Sequence, residues 1–364
     1  MDNSEIVTIP PINSSVEKRE QPNTSEFIKF SHITSKQSLK TRKWFLSCLF
    51  LFILILSLTG FLCFYIFKRF FTVTSSTIIN YDSNLRHAFW GLCYTPQSSQ
   101  FPRCGVTGDD VLNEIKILSQ LTKRVRLYGM DCNQGEFVLE AIHRLKIDMK
   151  VVLTVWIDSN SVTYERQSKE LIRVLSKYGT ANIYGISLGN EVLFRKEMDD
   201  TALFGRLKQL RDTLRAQNWD IPVFTSEIGS LIDTELVSEV DLVMANIHPY
   251  FAGTIVSDAS NWTLSYFKQS IQALIPPSKA GIISEVGWPT RGDRNQGSIP
   301  NVNNQQLFLN DFLCKANRLQ IPYFYFEVFD SPWKIQFNQL ETSWGIFDAK
   351  KNLKVDIPNC LVID

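Results

Sequence analysis

The run Trp44–Phe67 (WFLSCLFLFILILSLTGFLCFYIF) is 24 residues long and carries no charge. A segment of that length and polarity spans the hydrocarbon of a bilayer as a single α-helix. It is apolar on every side, unlike a helix that packs one face on a soluble core. It is also too long, and preceded by too much chain, to fit a cleaved signal peptide. The leader before it, residues 1–43, holds seven Lys/Arg and five Asp/Glu, with five of the basic residues between Lys29 and Lys43. Beyond the span, only Lys68 and Arg69 precede Arg86. This bias predicts a cytoplasmic N-terminus and an external C-terminal part, the arrangement of a single-pass type II protein of the cell membrane. Residues 1–43, rich in Ser, Thr, Pro and Glu without apolar periodicity, read as a disordered cytoplasmic tail. Residues 44–67 read as a signal-anchor helix, 68–83 as a Ser/Thr-rich stalk, and 84–364 as one domain.

Charge excludes one class of partner. The 364 residues carry 38 Lys+Arg against 37 Asp+Glu, so the surplus of positive charge that phosphate binding needs is missing, and no nucleic acid is expected. The four His are scattered and no Cys/His spacing resembles a metal site, so no metal or other cofactor is expected. Oligomeric state is not legible. Two cysteines lie in the span, which leaves Cys93, Cys104, Cys132, Cys314 and Cys360 beyond it. Five allow at most two disulfides and an unpaired thiol, and spacing alone does not assign them.

From residue 84 the pattern becomes one of strands alternating with helices. Short apolar runs occur at Ala88–Tyr94, Arg124–Tyr128, Lys150–Trp156, Ile183–Leu188, Pro222–Thr225, Asp241–Ile247, Gly281–Ser284 and Pro322–Phe329. Between them lie amphipathic stretches such as Asp109–Leu121, where Val111, Ile115, Leu118 and Leu121 recur at helical spacing. The stretch around Leu231–Val240 is short and weakly patterned. Eight strand runs with intervening helices predict an α/β protein of the (β/α)8 TIM-barrel class. A doubly wound open sheet would bring a Gly-rich turn after its first strand, and Gly91-Leu92-Cys93 is not one.

In such a barrel the chemistry belongs at the C-terminal ends of the strands. The fourth run leads into Gly189-Asn190-Glu191, and the seventh into Glu285-Val286-Gly287-Trp288-Pro289. Glycoside cleavage uses two carboxyl groups flanking the scissile bond. A separation of about 5–5.5 Å goes with a covalent intermediate and retained configuration. The fourth and seventh strands face each other across the barrel mouth, so Glu191 and Glu285 are the expected pair. An ionised nucleophile would keep its partner protonated. Asn113-Glu114, inside an amphipathic stretch, reads instead as a solvated helix face. Ser226-Glu227-Ile228-Gly229 follows the fifth run, on the same wall as Glu191, and Glu227 reads as a substrate-binding or supporting carboxylate.

Five runs carry a family resemblance: Arg124–Gln134 (RVRLYGMDCNQ), Gly189–Glu191 (GNE), Asn246–Phe251 (NIHPYF), Ser284–Thr290 (SEVGWPT) and Tyr323–Lys334 (YFYFEVFDSPWK). Through them, residues 88–360 resemble the fungal β-1,3-glucanases and glucanosyltransferases of glycoside hydrolase family 17, especially type II membrane-anchored members. The resemblance implies a β-1,3-glucan partner, Glu191 as general acid/base, Glu285 as nucleophile, and Asn190 at the sugar 2-hydroxyl. Tyr128, Tyr250, Trp288 and Trp333 become candidate sugar platforms, with Glu327 and Lys334 as polar support. His248, beside Pro249, reads as structural. Tyr250 stands where relatives often carry Trp, and Ser284 where they carry Thr or Ala. Cys93 replaces another small residue and is the expected unpaired thiol, with Cys104–Cys132 and Cys314–Cys360 the expected pairs. Three activities fit: endo-acting hydrolysis of cell-wall β-1,3-glucan, the favoured one; glucanosyl transfer by the same two Glu; and glucan binding by a wall protein without turnover.

Overall fold

The computed structural model describes residues 27–70 and 76–362. The chain divides into two units, residues 1–74 and 75–364. In the first, helix α1 (Phe27–Phe70) contains the stretch Arg42–Tyr65, long and apolar enough to cross a membrane. The hydroxyls of Ser57 and Thr59 donate back to the carbonyls of Leu54 and Ile55 at 2.8 and 2.9 Å, which satisfies them without water. The helix begins at Phe27, so Phe27–Lys43 is helical where composition predicts a tail. Extending a formed helix costs far less than starting one, and Lys, Gln and Leu are good helix formers. The rest of that tail, residues 1–26, lies outside the described residues, as do 71–75 of the expected stalk.

In the second unit the apolar runs become parallel strands. They are β1 (Gly91–Cys93), β2 (Arg124–Arg126), β3 (Lys150–Val155), β4 (Ile183–Leu188), β5 (Val223–Phe224), β6 (Ser226–Ile228), β7 (Val243–Asn246), β8 (Gly281–Val286) and β9 (Tyr323–Tyr325). Their order is β5-β4-β3-β2-β1-β9-β8-β7-β6. The expected fifth strand, Pro222–Thr225, contains β5, and a second short strand, β6, follows it at once. β5 pairs with β4 (Ile186↔Val223) and β6 with β7 (Glu227↔Ala245). Nine short strands thus fill the eight places of a nearly closed TIM barrel. A backbone bond from the Glu191 N–H to the Ser226 carbonyl, 2.7 Å long, crosses the remaining seam.

Helices α2 (Gly108–Leu118), α3 (Gln134–Leu145), α4 (Ser161–Tyr178), α5 (Asp200–Ala216), α6 (Thr234–Glu239), α7 (Val256–Tyr266) and α8 (Val302–Arg318) intervene between the strands. The opening of α2 is typical of how sequence places them. The Thr107 side chain accepts from the Asp110 N–H, and the Asp110 carboxylate accepts from the Thr107 N–H, a reciprocal cap. Val111, Ile115 and Leu118 are buried as their spacing predicts, but so is Glu114. This corrects the solvated-face reading. Glu114 lies one turn from Val111 and shares its face. Its burial is tolerated because the Tyr94 hydroxyl donates to it at 2.5 Å and the Lys351 ammonium lies 3.0 Å away.

Two disulfides, Cys104–Cys132 and Cys314–Cys360, match the expected pairs. The first joins the loop after β1 to the loop after β2, and the second ties the C-terminal segment to α8. Cys93 is a buried free thiol, pushed up to about 12 by its burial.

Candidate active site

Strand β4 delivers Glu191 through a turn that glycine makes possible. Gly189 has φ +78°, and a Cβ there would stand 2.2 Å from a Val192 methyl. Glu191 itself sits at φ +54°, a left-handed conformation that a non-glycine residue holds only when its surroundings enforce it. Three contacts supply that enforcement. The Glu191 N–H is bound to Ser226, the Arg195 guanidinium donates to the Asn190 carbonyl at 3.1 Å, and Glu227 accepts from the Leu193 and Phe194 N–H groups at 3.0 and 3.4 Å. Glu227 is fully buried beneath this loop, and burial pushes its carboxyl up to about 7. It holds backbone rather than lining the cavity, so its substrate-binding reading gives way to the supporting one.

Glu285 comes from β8, and it shares a cavity of about 510 Å³ at the barrel mouth with Glu191 and Asn190. The two carboxyls have unlike surroundings. Glu285 Oε1 accepts from Arg126 and from the Tyr128 hydroxyl, each at 2.8 Å, and its Oε2 lies 3.2 Å from His248 Nε2. Burial alone would raise its pKa. The His248 hydrogen bond and the Arg126 charge overcome that and hold Glu285 at about 2. Glu191 accepts from Asn246 Nδ2 at 2.8 Å. Burial, followed by the negative charge of Glu285, pushes it above the usual carboxylate range. One carboxyl is therefore held ionised and its neighbour is biased toward the protonated form.

Arg126 organises this arrangement. It is fully buried in β2, and besides Glu285 it donates to Asn190 Oδ1 at 2.7 Å and the Ser284 carbonyl at 3.0 Å. Asn246 joins the network as well. Its Nδ2 reaches Asn190 Oδ1 at 3.2 Å, and its Oδ1 accepts from the Ser284 hydroxyl at 2.6 Å. Both partners of Asn190 fall on Oδ1, which leaves its Nδ2 donors for a ligand. Sequence reasoning passed over Arg126 and Asn246, and it assigned His248 to structure, whereas the ring touches Glu285. The available signal was Arg126 itself. A cation between Val125 and Leu127 on a buried strand needs a buried acceptor.

The expected platforms divide. Tyr128 and Trp333 line the cavity, as does Lys334. Glu327 is buried and accepts from the Lys334 ammonium at 2.9 Å, in keeping with polar support. Trp288 and Tyr250 are 0% and 3% exposed, which corrects their reading as platforms. Trp288 packs against Tyr250 and Phe308 and donates its indole N–H to the Ile299 carbonyl at 3.0 Å. The cause lies one residue earlier. Backbone at Gly287 presses so closely on the Phe326 carbonyl that a Cβ would approach to 2.0 Å, and the next residue, Trp288, is packed on α8, where Phe308 meets its ring and Gln305 Nε2 donates to its carbonyl at 2.9 Å. Trp156, Phe326 and Phe337 line the cavity without having been singled out.

Residues 91–345 match the model of a family described as the BtgE/BtgC glycoside hydrolase domain. A glucan endo-1,3-beta-glucosidase, btgC of Emericella nidulans, is 39% identical over 303 residues, 76% of this chain and 47% of that protein. The chain spans about half the length of the curated relatives it matches. The crystal structure of a glycoside hydrolase family 17 beta-1,3-glucanosyltransferase from Rhizomucor miehei is similar at TM-score 0.66 and 29% identity, over 76% of this chain and 98% of that one. An active-site mutant of the Rhizomucor miehei enzyme, in complex with laminaritriose, is similar at TM-score 0.66 and 28% identity, with the same coverage.

Proposed function

The chain belongs to the BtgE/BtgC glycoside hydrolase family, within glycoside hydrolase family 17, and from that membership we propose that it cleaves β-1,3-glucan with retention of configuration. Glu285 is the nucleophile and Glu191 the general acid/base in this reading. The observation that carries it is the opposite bias of two carboxyls in one cavity, Glu285 held near 2 and Glu191 raised.

The steps follow from those protonation states. Glu285 carboxylate attacks the anomeric carbon while Glu191 passes its proton to the departing glycosidic oxygen, and the C–O bond breaks. A glycosyl ester on Glu285 remains. Glu191, now ionised, takes a proton from an incoming hydroxyl whose oxygen attacks the same carbon from the opposite face and releases Glu285. In this reading Asn190 Nδ2 donates to the sugar 2-hydroxyl, and Tyr128, Trp333 and Lys334, which line the cavity, contact the rings along it. No step calls on a metal or cofactor.

Water as the incoming hydroxyl gives hydrolysis, and a second glucan gives transfer. The likeness to a glucanosyltransferase over nearly its whole length supports transfer as the second reading. Incubating the full chain, in detergent, with β-1,3-gluco-oligosaccharides of defined length separates the outcomes. Only shorter products mean hydrolysis, products longer than the substrate mean transfer, and unchanged substrate would overturn both. Helix α1 supports the further reading of a single-pass type II protein of the cell membrane, with its N-terminal side cytosolic and the barrel unit facing the wall polysaccharide.

A further inference from the structure

The cavity extends beyond the carboxyl pair to Phe101, Asp131, Gln134 and Gln167, for which the proposed reaction has no use. Phe101 stands on the loop between β1 and α2, is 55% exposed, and yet is not free to swing. The Arg166 guanidinium carbon lies 4.2 Å from its ring centroid. That guanidinium is itself fixed by Asp131, through Nε to Oδ1 at 2.7 Å and Nη2 to Oδ2 at 2.9 Å. Gln167 Nε2 donates to the same carboxylate at 2.7 Å, while its Oε1 accepts from the Met130 N–H at 2.5 Å. The Cys104–Cys132 disulfide then joins the loop carrying Phe101 to the loop carrying Asp131.

An aromatic ring that lines a cavity, with one face covered by a fixed cation, offers a pre-set surface to a ligand. A β-linked glucopyranose suits it. Its hydroxyls are equatorial, so the ring faces carry C–H groups that stack on an aromatic while hydroxyls project from the edge. Gln134 lies beside this surface and is 7% exposed, and its amide oxygen has no hydrogen-bond partner among the described residues. An unsatisfied acceptor of that kind calls for a partner, and a sugar hydroxyl can supply one once the amide turns toward the cavity.

We propose that Phe101 is the stacking platform of a further glucosyl subsite, positioned by Arg166 and by the Cys104–Cys132 disulfide. This rests on the β-1,3-glucan reading above. The subsite is filled only by chains long enough to reach from the carboxyl pair to Phe101, so it sets chain-length preference.

The test measures kcat and KM for the full chain in detergent on β-1,3-gluco-oligosaccharides of increasing length. Phe101→Ala lowers kcat/KM on the longer substrates by on the order of tenfold, mainly through KM, and leaves the shortest productive substrate unchanged. Phe101→Trp retains the wild-type profile. The Cys104→Ser/Cys132→Ser double variant shows the same length-dependent loss as Phe101→Ala. If circular dichroism shows that the double variant does not fold, the two Phe101 variants decide alone. A Phe101→Ala profile unchanged at every length, or lowered equally at every length, would overturn the subsite while wild-type turnover preserves the glucan reading. Wild-type protein that neither turns over nor binds any of these oligosaccharides by calorimetry would overturn both.

Discussion

Glu191 and Glu285 are both glutamates, and their surroundings separate them. Replacing either by Gln should lower kcat by on the order of a thousandfold while leaving the fold and glucan binding nearly intact. Added azide then tells them apart. Glu285→Ala empties the face the nucleophile occupied, and azide attack there yields an inverted glycosyl azide. In Glu191→Gln the ester still forms from a substrate with a good leaving group, and azide yields a retained product. Opposite stereochemistries would mean that the roles are exchanged. The pH profile carries the same asymmetry. Its acid limb falls as Glu285 takes up a proton near its pKa of about 2, and its alkaline limb falls as Glu191 loses the proton it must give. His248→Ala removes the largest influence that lowers the Glu285 pKa, so the acid limb of kcat/KM should move to higher pH. An unmoved limb would remove His248 from that role. The depressed pKa also stabilises the fold above the ordinary carboxylate range, a contribution lost as pH falls through about 2.

At the scale of elements, the loop after β4 is the most constrained piece of the site. Gly189 takes a left-handed turn with no room for a Cβ, Arg195 and Glu227 hold the loop backbone, and the Glu191 N–H closes the seam beside the split strand. Gly189→Ala combines a disfavoured φ with a clash on Val192. It should lower stability by about 2 kcal/mol or more and reduce kcat further than the remaining folded fraction explains. Urea unfolding and active-site titration check this together, and full activity per folded molecule would separate the turn from the chemistry. The position of this loop was legible in advance, because an apolar strand followed by Gly-Asn-Glu ends where a barrel puts its chemistry. The split at Thr225 was not. It arises because Val223–Phe224 and Ser226–Ile228 bond to different neighbours, and a sequence records no neighbours.

For the whole molecule, the proposed orientation has a covalent readout. Asn261-Trp262-Thr263 is the sequon beyond the apolar span, and Asn261 is exposed on α7. If residues 1–43 stay cytosolic, the sequons at Asn13 and Asn23 remain bare and Asn261 carries the glycan. Peptide mass mapping of protein from a secretory host checks this, and sugar on Asn13 or Asn23 would reverse the orientation.

By itself the sequence determined the elements and their order. Alternation and helical spacing are properties of neighbouring residues, so eight strand places, the intervening helices and the apolar span could all be read along the chain. Glu191 and Glu285 could be singled out for the same reason, each lying at or just beyond the C-terminal end of a strand. Tertiary structure decided what lies opposite each side chain. Trp288 and Tyr250 read as platforms along the chain, but they are buried against each other and Trp288 against Phe308 of α8, and Glu114 reads as solvated but is enclosed by Tyr94 and Lys351. Arg126 and Glu285 are 159 residues apart, and Cys104 and Cys132, which join the two loops of the Phe101 surface, are separated by 28. A pKa depends on what surrounds the carboxyl, and a platform depends on which face is left uncovered. Both are settled by residues distant in sequence that only the closed barrel brings within hydrogen-bonding distance.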